Sequence, residues 1–254
     1  PSIATMTTTE QVPQQQPTTV RYEFPAQRPI VTFTILGITI LVFIVQQLTM
    51  QLYTVDLPAM FLMKVNELIY QGEVWRLITP ALVHADLAHI GFNMYALFII
   101  GSRLERVYGH QRFFLLYFLS AFAGNLFSFY LADYASLGAS TAIFGLLAAE
   151  VIYIYNNRKF FPQAKRLLTN LAIILLFNMF YSFAHPNIDL WGHLGGFLGG
   201  LGFAWFAGPL IKIQHEETGL VLKDEHIGPI FARVSLIEFL IMALLTVFRI
   251  FFHS

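Results

Sequence analysis

Apolar positions cluster into seven runs, at residues 30–50, 88–100, 113–131, 141–155, 167–183, 190–211 and 234–252. A helix that crosses a bilayer needs about 20 apolar residues, so each run predicts a spanning helix. The second run is short because polar residues open it. Residues 1–28 are rich in Thr, Gln and Pro, as in Thr7-Thr8-Thr9 and Gln14-Gln15-Gln16. Such a stretch buries too little apolar surface to offset its ordering entropy, which predicts a disordered tail. The run at 30–50 is too long for a signal-peptide core and lacks a small-x-small cleavage site, so it reads as a span. Residues 53–87 interleave Met60, Phe61, Tyr70 and Trp75 with Lys64, Glu67, Glu73 and Arg76. That mixture predicts a structured loop in the membrane interface; an ordinary extracellular loop is the other reading. A charged linker at 212–233 precedes the last run.

Composition agrees with this pattern. The chain has 254 residues, 56% hydrophobic and 12% charged, about half the charge of a soluble domain. Zero net charge argues against a nucleic-acid partner. The absence of cysteine removes disulfides, thiolate metal sites and cysteine catalysis. With the amino terminus in the cytoplasm, 12 of the 15 Lys and Arg residues fall inside, leaving Lys64, Arg76 and Arg249 outside. This bias predicts an integral multi-pass protein. No transit peptide is read, so a bacterial plasma membrane is expected. It also brings the starts of the fourth and sixth runs to one face.

Those two starts carry the chemistry. One is Gly138-Ala139-Ser140-Thr141, the other Trp191-Gly192-His193-Leu194-Gly195-Gly196. Polar groups at membrane depth cost free energy unless satisfied, so they are functional candidates. Serine is a poor nucleophile until a base, usually histidine, takes its proton. The glycines around His193 and the small residues around Ser140 form matching surfaces that let two backbones approach. Each residue also has a bland reading: Ser140 as helix-packing filler, His193 as a structural hydrogen bonder. The third candidate stretch is His84-x4-His89-x3-Asn93. His89 and Asn93 share a helix face, where side-chain donors can stabilise an oxyanion by about 3 kcal/mol. Interhelical hydrogen bonding is the alternative. A metal site is not expected, since the His84–His89 spacing is five and no Glu follows His84. Asp189, one turn before His193, reads as an orienting acid or, more simply, a solvated loop residue. Glu150 and Glu238 lie within spans and should face partners or water. His110, His185, His215, His226 and His253 read as solvated.

The constellation is similar to the rhomboid family of intramembrane serine proteases. Trp75-Arg76, His84-x4-His89-x3-Asn93, Gly101-x3-Glu105-x3-Gly109, Gly138-Ala139-Ser140 and Gly192-His193-x-Gly195 occur in the family's order. The resemblance implies an all-α polytopic membrane helix bundle, with a six-helix core at 29–211 and one further transmembrane helix at 234–254. It implies Ser140 as nucleophile and His193 as general base, without a third acid. His89, Asn93 and the Ser140 N–H would form the oxyanion hole. His84, Trp75, Arg76 and Glu105 would be structural, and Phe144 would pack on the histidine. No cofactor is expected. The implied partners are transmembrane protein substrates within the lipid bilayer. Thr141 departs from the family's usual glycine; a β-branched residue there restricts the backbone and crowds the cleft. An inactive relative that binds membrane-protein clients is the competing reading, marked by loss of the serine or histidine; both are present. A transporter predicts paired halves with broken helices, and no internal repeat is visible.

Overall fold

The apolar runs fold as helices because no backbone group can go unsatisfied in hydrocarbon. A computed structural model describes residues 20–22, 28–216, 219–226 and 228–252. Most of the expected tail, and His253, lie outside the described residues. Helix α1 spans Ile30–Tyr53. Two short helices follow, α2 (Leu57–Leu62), capped by Asp56, and α3 (Asn66–Tyr70). Then come α4 (Leu87–Ala96), α5 (Ser102–Tyr108), α6 (His110–Leu131), α7 (Ser140–Asn156), α8 (Ala164–Ala184), α9 (Leu190–Ala207) and α10 (Pro229–Phe251). A π-helical stretch at Leu97–Gly101 joins α4 to α5, so Leu87–Tyr108 forms one continuous rod.

Five described helices are long and apolar enough to cross a membrane: α1, the α4–α5 rod, α6, α8 and α10. Seven runs suggested seven spans. Helices α7 and α9 fall short of that measure because α7 has 17 residues and α9 is interrupted by glycine and histidine. Both lie in the middle of the bundle against α6. The core forms where these three meet and includes Phe113, Leu116, Tyr117, Phe129, Leu146 and Phe203. Residues 53–86 are structured, as expected, by α2, α3 and two 3-10 turns. The sixth run was expected to continue to residue 211, but α9 stops at Ala207, where Gly208-Pro209 cannot extend it. The last helix starts at Pro229, earlier than its apolar run, with proline in the first turn where its missing N–H is harmless.

One feature lies outside an all-helical reading. Strands β1 (Val20–Tyr22), β2 (Ile211–Glu216) and β3 (Gly219–Asp224) form a sheet of order β1-β3-β2. β1 runs parallel to β3, with Val20 opposite Leu220, and β2 runs antiparallel. Thus part of the expected tail and of the expected linker pair with each other. The sheet is fastened to the bundle by polar bonds. Arg112 of α6 reaches Asp224 at 2.7 Å and the His226 carbonyl at 2.9 Å. Asn157 accepts from Ile211 N and donates to the Pro209 carbonyl.

Candidate active site

Gly138 turns the chain into α7. Its φ of +127° suits only glycine, and a Cβ there would sit 2.7 Å from His89 Nε2. Its N–H donates to the Pro80 carbonyl at 2.9 Å. Ser140 is therefore the first residue of α7, where the helix end favours developing negative charge. Asp189 opens α9 by accepting from Gly192 N at 2.8 Å, one turn before His193. Asp189 is thus a helix cap rather than a free loop residue. It also accepts from the Tyr134 hydroxyl. Among the described residues Asp189 meets His193 only through the backbone, His193 N–H donating to the Asp189 carbonyl at 3.0 Å, and its carboxylate makes no hydrogen bond to the imidazole.

Glycines set the distance between the two helices. A Cβ at Gly196 would strike the Thr141 carbonyl oxygen, and one at Gly200 the Gly145 backbone. The backbones therefore meet directly, and His193 Nε2 lies 2.7 Å from Ser140 Oγ. Phe144 stacks on the His193 ring, with centroids 4.3 Å apart and planes 18° apart. Thr141 is buried, with its Cβ 2.8 Å from the place a Gly124 Cβ would take and its methyl 3.1 Å from that of Gly192. Its side chain fills the seam between α6 and α9, where the sequence suggested crowding of the cleft.

Of the other predicted residues, His84 and His89 lie against the turn that leads into Ser140. Asp86 caps α4 through His89 N at 2.8 Å. The His89 ring reaches Gly138, and Asn93 is buried one turn further along α4. His84 Nε2 accepts from Ala139 N at 3.3 Å, and its ring meets that of His89 edge-on at 5.0 Å. Burial, and secondarily His89, hold the His84 pKa down to about 3, against a smaller upward pull from Asp86. Its ring is neutral at pH 7. Arg76 is buried and binds Glu73 and the Met60 and Met63 carbonyls, while Trp75 Nε1 donates to the Phe61 carbonyl. Glu105 is remote from the pair. It caps α1 by accepting from Val31 N, Thr32 N and Thr32 Oγ1, and it also meets His110 at 2.5 Å. Of the other histidines read as solvated, His226 bonds the Gly208 carbonyl and His185 the Tyr181 carbonyl, whereas His215 is exposed. Glu150 pairs with Arg103.

Three residues were not singled out from the sequence for the site. Ser182 of α8 places its Oγ 2.7 Å from His193 Nδ1. Gln46 of α1 bonds both the N–H and the carbonyl of His84. Lys64 is fully buried and donates to Ser128 Oγ and the Ala132 and Tyr134 carbonyls, with its pKa lowered by burial to about 8. It also pairs through its backbone with Ser136, just before the Gly138 turn. Ser182 and Gln46 each interrupt an apolar run, which was a usable signal. Lys64 sat in a charged loop and carried none.

Fold and site together define a multi-pass helical membrane protein with a serine–histidine pair where two glycine-packed helices begin. Residues 71–210 match the family model of the Rhomboid domain, more than half of the chain. The chain belongs to the rhomboid family. It is 38% identical over 177 residues to "Rhomboid protease GluP" of Bacillus subtilis, covering 70% of this chain and 34% of that protein. It is 38% identical over 136 residues to "Putative rhomboid protease YdcA" of the same organism, covering 52% and 66%. It is 40% identical over 134 residues to "Rhomboid-like protease 3" of Toxoplasma gondii, covering 51% and 50%. The chain thus spans between about a third and two thirds of these relatives' lengths.

Proposed function

We propose that this chain is an intramembrane serine endopeptidase that uses Ser140 and His193. The observation that carries the reading is the 2.7 Å approach of His193 Nε2 to Ser140 Oγ. His193 takes the Ser140 proton at Nε2 as Oγ attacks a substrate carbonyl. His89, Asn93 and the Ser140 N–H stabilise the oxyanion. His193 then protonates the leaving amine, and water releases the acyl group by the reverse sequence. His84, Trp75, Arg76 and Glu105 shape the scaffold, and Phe144 holds the histidine ring. No step needs a metal or cofactor. Substrates are other transmembrane proteins, cut in or near a spanning helix, which must unwind before its carbonyl can be attacked. Relatives named as proteases support this reading.

From the Lys and Arg distribution we place the amino terminus and the 212–233 segment on the cytoplasmic side, and we assign the protein to a bacterial plasma membrane. Residues 29–211 form the protease core, and α10 (Pro229–Phe251) is an added helix. The test is cleavage of a labelled single-span substrate with small residues near its outer end, by purified protein in lipid. Ser140→Ala and His193→Ala should each lower the rate by about 10³-fold or more while remaining folded. Cleavage that survives Ser140→Ala rejects the mechanism.

A further inference from the structure

We propose that Ser182 is a positioning residue that fixes the tautomer of His193. The inference rests on the dyad reading above. A dyad histidine without an acid has a defect: neutral imidazole carries its proton on either nitrogen, and only the form with a free Nε2 can act as base toward Ser140. Something must hold the proton on Nδ1.

The arrangement of α8 supplies it. Ser182 Oγ lies 2.7 Å from His193 Nδ1 and 2.8 Å from the Asn178 carbonyl, one turn back on the same helix. A carbonyl only accepts, and the hydroxyl has one proton. Both contacts are satisfied only when Ser182 donates to Asn178 and accepts from His193 Nδ1–H. Nε2 then carries the lone pair, 2.7 Å from Ser140 Oγ, and Ser140 donates to it. The opposite tautomer would make Ser182 donate to Nδ1, give up the Asn178 bond and set an Nε2–H against Ser140.

The setting of Ser182 agrees. Helix α8 is the least buried of the five candidate spans. Only Leu171 and Ser182 on it are buried. Its one buried hydroxyl therefore meets the histidine. The ring is held at Nδ1 by Ser182, at Nε2 by Ser140 and across its face by Phe144. When His193 takes the Ser140 proton, the Nδ1–H bond to Ser182 persists, so the ring need not turn. A hydroxyl brings no negative charge, so Ser182 orients the imidazole and does not replace a triad acid.

The test compares Ser182→Thr, which keeps the hydroxyl, with Ser182→Val, which has the same shape without it. Ser182→Ala stands in if valine unfolds the protein. Fluorophosphonate labelling of Ser140 and substrate cleavage are both read. Valine or alanine should lower the labelling rate and kcat by about 10- to 100-fold with KM unchanged, and threonine should stay within about threefold of the unmodified protein. Nitrogen-15 NMR of labelled histidines, with His193 assigned by its loss in His193→Gln, should show Nδ1 protonated in the unmodified protein and a tautomer mixture in Ser182→Val. Protonation on Nε2 in the unmodified protein, or unchanged rates in valine and alanine, overturns the proposal. Ser140→Ala and His193→Gln in the same assay separate the two readings. If they stay active, the dyad itself fails; if they are dead and Ser182→Val is not, only the role of Ser182 fails.

Discussion

At the scale of single residues, the site is a set of polar groups, several of them held by partners on neighbouring elements. His84 shows the cost when that arrangement is disturbed. Its Nε2 accepts from Ala139 N, just before the nucleophile, and its ring is nearly out of reach of solvent. Its folded pKa of about 3 lies below the ordinary value of 6.5. Above pH 6.5 both states hold it neutral and its contribution is complete. Below pH 6.5 the unfolded chain takes up a proton that the folded chain does not, so stability falls as pH drops toward 3. Thermal unfolding of purified protein between pH 4.5 and 7.5 should show this loss. His84→Gln, which retains an acceptor, should flatten the slope near pH 5 by about 1.4 kcal/mol per pH unit. An equal slope in both proteins contradicts the assignment. Ser140, His193, His89 and Asn93 were legible as candidates because polar residues stand out in apolar runs. The partners on other helices, Ser182 and Gln46, needed tertiary structure to be assigned, since sequence spacing relates residues only within one helix.

At the scale of elements, the site depends on how closely α7 and α9 approach. The glycine pattern around His193 predicted that contact, and the structure shows its tightness at Gly196 and Gly200. Gly196→Ala puts a methyl against the Thr141 carbonyl, a backbone atom that cannot rotate aside. Overpacking of this kind costs about 1–3 kcal/mol, and a shift of about 1 Å between reacting groups can cost about 10²-fold in rate. Gly196→Ala should therefore lower both the melting temperature and the Ser140 labelling rate. Gly202→Ala on the same helix meets nothing within 4 Å and should leave both within error. Equal behaviour of the two variants would refute the close-packing account. The apolar runs located the helices well, whereas their ends followed local chemistry: Asp86 and Asp189 caps, the Gly208-Pro209 stop and the Pro229 start. The strands escaped notice because β1 lies in a compositionally polar tail. Ile211-Lys212-Ile213 does alternate in the manner of a strand, but the stretch is short and charged enough to read as linker.

At the scale of the whole molecule, two fixtures sit at opposite ends of α6. Toward its carboxyl end, Gly124 packs on Thr141 and α9, beside the serine–histidine pair. At its amino end, Arg112 meets Asp224, both side chains nearly fully buried, and ties the sheet to the bundle. Removing one partner of such a pair strands the other charge, at a cost of about 3–5 kcal/mol. Arg112→Met should lower the melting temperature and speed proteolysis near residues 211–226, while Ser140 still labels at permissive temperature. Loss of labelling without loss of stability would show instead that the two ends are coupled.

Activation of Ser140 by His193 can be read by covalent labelling, which requires no knowledge of the substrate. Purified protein in lipid is treated with a fluorophosphonate probe and the modified peptide is mapped by mass spectrometry. Modification should fall at Ser140, be absent there in Ser140→Ala, and be slowed by about 10³-fold or more in His193→Ala. Labelling at another residue, or at an undiminished rate in His193→Ala, would contradict it.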